Sequence, residues 1–284
     1  MPAKLNDQAQ PGWSLNLRNP DVIRSLLPLW EWLYQYYFRV ETGGWHHIPQ
    51  HQNVLLVGSH NGGLAAPDMF MMMVDWFRRF GCDRPAYGLM HPSAWQVLPQ
   101  PLTRLAAQIG AVRAHPQIAK AALQHGATVL VYPGGPYDVF RPHRQRHQIH
   151  LADNRAFIKL ALQEKVPIVP VISHGAHDTL IVLEDLYPIV EKLHAWGMPW
   201  LFDIDPVVFP IYLGLPWGVS IGPLPNIPLP VKIYTRVCQP VLFDWYGKGA
   251  ASDREYVEFC YHRVHQHMQQ ELDRLIQSVG TLPI

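Results

Sequence analysis

Two short apolar runs that each stop at a tight turn constrain this chain most. Val54-Leu55-Leu56-Val57 ends in Gly58-Ser59-His60, and Thr128-Val129-Leu130-Val131-Tyr132 ends in Pro133-Gly134-Gly135. Uninterrupted apolar runs of this length mark strands buried on both faces. Pro85-Ala86-Tyr87-Gly88-Leu89 and Pro167-Ile168-Val169-Pro170-Val171 read as two more strands. Helical patterns fall between them, at 67–80, 99–108, 117–124 and 154–164. Strands alternating with helices predict an α/β fold: a mixed, largely parallel central sheet flanked by helices. Ligands of such sheets gather at the carboxyl ends of the strands. Both His60 and the Pro133 turn fall at such ends.

The composition narrows the possible partners. A chain of 284 residues buries one substantial core. Hydrophobic residues make up 48% and charged residues 16%, a balance that excludes disorder and leaves apolar surface to meet lipid. The net charge of +1, with Lys and Arg scattered, argues against a nucleic-acid partner. Cys82, Cys238 and Cys260 are odd in number and widely spaced, which suits a reducing compartment and neither a disulfide framework nor structural zinc. Met1 to Pro11 lacks the layout of a signal peptide, and no apolar window reaches spanning length. The expected location is the cytoplasmic face of a membrane, peripheral or monotopic. The oligomeric state stays open.

Residues 1–40 read as an irregular start and an amphipathic helix opening at Asn19-Pro20-Asp21. Within it Ile23, Leu26, Leu27, Trp30, Leu33, Tyr34, Tyr37 and Phe38 recur at helical steps. Two readings stand side by side: a helix packed on the core, or one lying in the membrane interface. Residues 41–284 form the main domain. Inside it, 180–230 is a lid-like insertion in which Trp196, Trp200, Phe202, Phe209, Tyr212 and Trp217 alternate with prolines. Prolines at that density argue against a long helix or an interior strand, leaving an aromatic loop that covers the core or dips into lipid. A C-terminal helix over 253–279 carries Val257, Tyr261, Val264, Met268, Leu272 and Leu275 on one face.

Acyl transfer to an alcohol needs a base for the hydroxyl proton, a group to hold that base, and donors for the oxyanion. His60 at a strand end supplies the first. Asp68, just after Pro67 at a helix start, supplies the second. Seven residues separate them. One continuous helix would hold the two side chains roughly 12 Å apart along its axis. A loop at Gly62-Gly63, with the helix starting only at Pro67, lets Asp68 fold back toward His60.

This pattern resembles the signature of the glycerolipid (lysophospholipid) acyltransferase superfamily, whose common form has four residues between the histidine and the aspartate. Further blocks follow in the family's order. Gly110-Ala111-Val112-Arg113 is similar to the second. Tyr132-Pro133-Gly134-Gly135-Pro136-Tyr137-Asp138-Val139-Phe140-Arg141-Pro142 is similar to the third, in the Pro-Gly-Gly form of the diacylglycerol acyltransferase type 2-like branch. Val166-Pro167-Ile168-Val169-Pro170-Val171 is similar to the fourth. The resemblance implies a membrane-surface O-acyltransferase that moves a fatty acyl group from acyl-CoA or acyl carrier protein to a glycerolipid or other lipid alcohol. His60 would be its general base and Asp68 the orienting acid. Asn61, Gly62, Gly63, Arg113, Pro133, Gly134, Gly135, Asp138 and Arg141 would bind substrate. No metal or other cofactor is implied; the partners are membrane lipid and the acyl thioester.

Other readings compete. Gly218-Val219-Ser220-Ile221-Gly222 matches the nucleophile elbow of esterases and lipases, which must sit between a strand and a helix. His143, His147 and His150 have metal-like spacing but lie among arginines, which suits a solvated basic segment. His174, His177 and Asp178 follow the fourth-block strand and either contact the site or serve the structure. Met69-Phe70-Met71-Met72-Met73 reads as core, or as the lining of an acyl channel. A non-catalytic lipid-binding protein on the same fold remains the alternative of a different class.

Overall fold

The computed structural model describes residues 11–50, 52–200, 205–222 and 224–280. The first ten residues, together with Phe202 and Pro223 of the proline-rich region, lie outside the described residues. Strands β1 (Glu41–Gly43), β2 (Leu55–Gly58), β3 (Ala86–Met90), β4 (Ala111–Arg113), β5 (Thr128–Val131) and β6 (Ile168–His174) precede a smaller group. That group is β7 (Ile181–Asp185), β8 (Pro210–Gly214) and β9 (Gly218–Ile221), after which β10 (Tyr234–Val237) returns to the main sheet. The seven-stranded sheet has the order β1-β10-β6-β2-β5-β3-β4. Strand β10 pairs antiparallel with β6, β1 runs parallel to β10, and β6, β2, β5, β3 and β4 are mutually parallel.

The apolar runs are continuous because both faces of the sheet are covered. Leu55 and Val57 of β2 point into a cluster beneath the helices Ala156–Glu164 and Arg254–Gly280. Val54 and Leu56 point the other way, into a cluster beneath α1 (Pro20–Trp32) and α2 (Pro67–Phe80). The same alternation places Val129 on the first side and Leu130 on the second, then Ile168 and Ile172 against Val169 and Val171. Successive side chains of a strand face opposite ways, so an all-apolar strand feeds two cores at once.

Helix α1 begins where Asn19 Oδ1 accepts from the Asp21 and Val22 amides, with Pro20 at the first helical position. A wider turn over Leu33–Tyr37 continues it. Ile23, Trp30, Tyr34 and Phe38 are buried against the sheet. Leu29, Trp32 and Tyr36 stay more than half exposed on the opposite side. The helix therefore both packs on the core and presents an apolar outer face.

The proline-rich region departs from expectation. Instead of a loop it forms the helix Tyr187–Ala195 and a three-stranded antiparallel sheet in the order β7-β8-β9. Its prolines mark boundaries: Pro210 opens β8, and Pro216 lies in the turn between β8 and β9. A proline at the first residue of a strand or in a hairpin turn costs the ladder little. Ser220 lies inside β9 opposite Tyr212, and among the described residues the next element is strand β10 rather than a helix, so the strand-to-helix elbow of an esterase nucleophile is not formed.

Candidate active site

The site grows from the ends of β2 and β5, adjacent in the sheet. Beyond Gly58 the chain leaves the ladder through Ser59 and His60. Gly62 and Gly63 both take positive φ, +86° and +72°, and Ala66 is also left-handed. These turns absorb the residues that lengthen the spacing, and α2 starts only at Pro67. The fold-back that results brings Asp68 Oδ2 to 3.5 Å from His60 Nδ1. Asp68 is fully buried, and the His60 side chain is 12% exposed. Asp68 sits in the first turn of α2, where the helix dipole favours a carboxylate.

Tyr132, the residue after β5, stacks on the His60 ring with centroids 3.9 Å apart and planes 17° apart. Gly58 makes room for it, since a Cβ there would come within 2.3 Å of the Tyr132 ring. Burial, with Asp68 and Asp138 nearby, pushes the Tyr132 phenol well above its ordinary range, so it stays neutral.

Beneath His60 lies a second polar layer. Asp138 is fully buried and accepts from Ser59 Oγ at 3.0 and 3.1 Å, and from the His60 backbone N–H. Burial lifts its carboxyl to about 6, opposed chiefly by the Arg141 charge. Arg141 pairs with Asp138 at 3.0 Å and donates to His177 Nε2 at 2.6 Å and to Asn61 Oδ1 at 3.4 Å. His177 is held well below its ordinary range by burial and then by Arg141, so its Nε2 is free to accept.

The structure gathers most of the sequence-derived candidates but not in equal roles. His60, Asn61, Gly62 and Gly63 share one loop, and Asp68 opens the helix that follows it. Asn61, Asp138 and Arg141 are buried and bonded to one another or to Ser59, so they underlie the site rather than face a ligand. At Gly134 a Cβ would meet the Asp138 Cβ at 2.4 Å and the His150 carbonyl at 2.7 Å, so this glycine lets Asp138 in. Gly135 has positive φ and open space beside it, and the Pro133 carbonyl accepts from Asn154 Nδ2. Arg113 stands apart: it ends β4, three strand positions from β2, or about 14 Å at the usual strand spacing. Its guanidinium lies over Trp13.

Two residues escaped the sequence reading. Tyr132 carries no role in the sequence, where it is only the end of a strand and the first residue of the third block. Asn226 is a lone polar residue in an apolar, proline-rich run; its amide atoms are buried without a hydrogen-bond partner and abut Gly63. Of the histidines spaced like ligands, His143 pairs with Asp178 at 2.6 Å and the His147 ring lies tilted against His174, centroids 5.5 Å apart. Among the described residues no group of three His, Cys, Asp or Glu side chains could hold a metal ion.

An apolar cavity of about 90 Å³ opens along the same helix that carries Asp68. Met69, Phe70, Met73 and Phe77 of α2 form one wall, with Leu89 and Met90 of β3, Gly110 and Trp30 completing it.

Comparison with known proteins follows the same lines. Residues 39–174 match the family model described as Acyltransferase. An uncharacterized protein of Mycobacterium tuberculosis is 27% identical over 255 residues, covering 88% of this chain and 65% of that protein. An uncharacterized protein of Mycobacterium leprae is 26% identical over 254 residues, covering 88% of this chain and 63% of its own. The chain thus spans a little under two thirds of these relatives. Among solved structures, the 1-acyl-sn-glycerophosphate (LPA) acyltransferase PlsC from Thermotoga maritima is similar, with a TM-score of 0.49 and 15% identity over 89% of this chain and 79% of that one. Residues 39–174, which carry the matched blocks on this α/β sheet, are thus similar to the family described as Acyltransferase.

Proposed function

We propose that this chain transfers a fatty acyl group from an acyl thioester, acyl-CoA or acyl carrier protein, to the hydroxyl of a lipid alcohol at a membrane surface. The contact between buried Asp68 and His60 Nδ1 carries this reading. A proton on Nδ1 facing Asp68 leaves the Nε2 lone pair for the acceptor hydroxyl. His60 takes the hydroxyl proton as the oxygen attacks the thioester carbonyl. The C–S bond then breaks, and the departing thiolate recovers the proton from His60, so no enzyme nucleophile is required. The 3.5 Å separation is longer than a formed hydrogen bond, and such contacts tighten when substrate closes the site.

The apolar cavity along α2, the helix that carries Asp68, supports a place for part of the acyl chain, since its Met and Phe walls follow the acid on that helix. On the acceptor side, Gly134 stands where the commoner third block has a glutamate, and Arg113 is remote from His60. Both favour a neutral lipid alcohol, as in the diacylglycerol acyltransferase type 2-like branch, over a lysophospholipid. No helix among the described residues is long and apolar enough to cross a membrane. Action at a membrane surface is supported instead by the outer face of the small sheet. Leu183, Leu213, Val219 and Ile221 are all exposed there, with Trp217 at the hairpin tip. Soluble sheets normally turn polar residues outward, so an apolar outer face points to lipid.

The test incubates the protein and lipid vesicles with labelled acyl-CoA or labelled acyl carrier protein and identifies the product by mass spectrometry. A labelled lipid ester is expected. Free fatty acid as the only labelled product would overturn the transferase reading in favour of hydrolysis, and label that stays on the donor would favour the non-catalytic lipid-binding protein.

A further inference from the structure

His60 has no strand ladder to hold it. Strand β2 ends at Gly58, and the chain then turns at Gly62 and Gly63, the most permissive residues available. A catalytic base must nevertheless stay within a fraction of an ångström of its working position. Something outside the loop has to fix the Ser59–His60 peptide.

We propose that Asp138 is the positioning residue for His60: its buried carboxylate, anchored by Arg141, clamps the Ser59–His60 main chain so that the His60 ring stays between Tyr132 and Asp68. This rests on the acyl-transfer reading of the site.

The geometry is built for that task. One carboxylate accepts from the Ser59 hydroxyl and from the His60 N–H, while Ser59 Oγ in turn accepts from the His150 N–H at 3.2 Å. Three separate segments are thereby tied to one point. Asp138 reaches it only because Gly134 lacks a Cβ, which assigns this half of the Gly134-Gly135 turn to packing rather than to a ligand. Arg141 holds the carboxylate from the far side and is itself held by His177 and Asn61. Asn61 Nδ2 returns to the Ser59 carbonyl at 3.2 Å, closing a ring of bonds around the loop.

The charges point the same way. The ionisable groups around Asp138 are Arg141 on its own segment, His60 on the β2 loop, Tyr132 after β5, Asp68 on α2 and, beyond Arg141, His177. Two carboxylates and one guanidinium are buried there. A proton taken up by His60 balances the set, so Asp138 also favours the charge that develops during the reaction. Burial that raises its carboxyl shows that the fold accepts a cost to keep an acid at this place.

The experiment compares wild type with D138N, with D138N/R141Q and with S59A in kcat, KM and melting temperature. It also follows the His60 ring signals by NMR, assigned through their loss in H60A. D138N keeps the side chain's shape and removes the acceptor charge, and the double variant also removes the Arg141 charge that it pairs with; melting temperatures check that both fold. Both should lose roughly 10- to 100-fold in kcat, with KM within twofold, as for a displaced catalytic group. Their His60 ring signals should move. S59A keeps every charge and should lose about fivefold in kcat, again with shifted ring signals. The inference is overturned if D138N/R141Q or S59A regains wild-type kcat with unmoved His60 signals. A wild-type protein that makes no ester while its variants still shift the His60 signals would instead contradict the acyl-transfer reading and leave the clamp standing.

Discussion

Replacing Asp68 with asparagine removes the one carboxylate that faces His60 Nδ1 while keeping the side chain's shape. A charge at 3.5 Å from the ring nitrogen stabilises a forming imidazolium by about 4.7 kcal/mol at an effective dielectric constant of about 20. That corresponds to roughly 3,000-fold in rate. The His60 side chain is 12% exposed, so solvent screens part of the field, and an expected loss of roughly 300- to 3,000-fold in kcat allows for that. An asparagine also competes for the tautomer, because its amide can donate to Nδ1 and leave the wrong nitrogen free. Asp68 makes no other close polar contact, so the variant should fold and melt within a few degrees of wild type. The assay is initial-rate formation of labelled lipid ester at saturating donor, beside a thermal melt. A folded D68N with kcat within threefold of wild type would refute the assignment of Asp68 as the orienting acid.

Other outcomes follow from single features. Gly62→Ala puts a Cβ at 2.4 Å from Thr179 Oγ1 on a backbone at φ +86°; it should lower stability by about 1–3 kcal/mol in urea unfolding and disrupt the fold-back. Met73→Trp fills part of the cavity beside α2 and should shift donor preference toward shorter acyl chains in competition assays, with a transfer rate for short chains close to wild type. V219D/I221D on the outer face of β9 should weaken vesicle co-sedimentation about tenfold without lowering the melting temperature, because both positions are exposed. The Asp138 carboxyl is raised to about 6 in the fold from an ordinary 3.8. Its protonated form therefore adds stability that is complete below about pH 4 and lost as pH rises through about 6; melts of D138N/R141Q should lack that part of the slope.

The parts of the fold that were legible are those that local chemistry decides. Strands β2, β5 and β6 are continuous apolar runs, and α2 announces itself with Pro67 and Asp68. Strands β1 and β10 carry no such signal: Glu41-Thr42-Gly43 and Tyr234-Thr235-Arg236-Val237 become strands because neighbouring backbones accept them. The small sheet was hidden by prolines that turn out to sit at strand starts and turns. At the site, the spacing of His60 and Asp68 left one geometric condition, a glycine loop, and the structure meets it. The burial of Asp138 and Arg141 was not legible, because it depends on Gly134, His150 and His177, which only the folded sheet brings together. Arg113 matched a sequence block, yet an edge strand carries it away from His60.

The central claim is that His60 performs the proton transfer, and replacing it tests this most directly. Wild type and His60→Ala should be compared in one assay of labelled ester formed from acyl thioester and lipid, with melting temperatures measured beside it. The account predicts a folded variant with ester formation at or near background. A folded His60→Ala protein that forms the ester within threefold of the wild-type rate would contradict it.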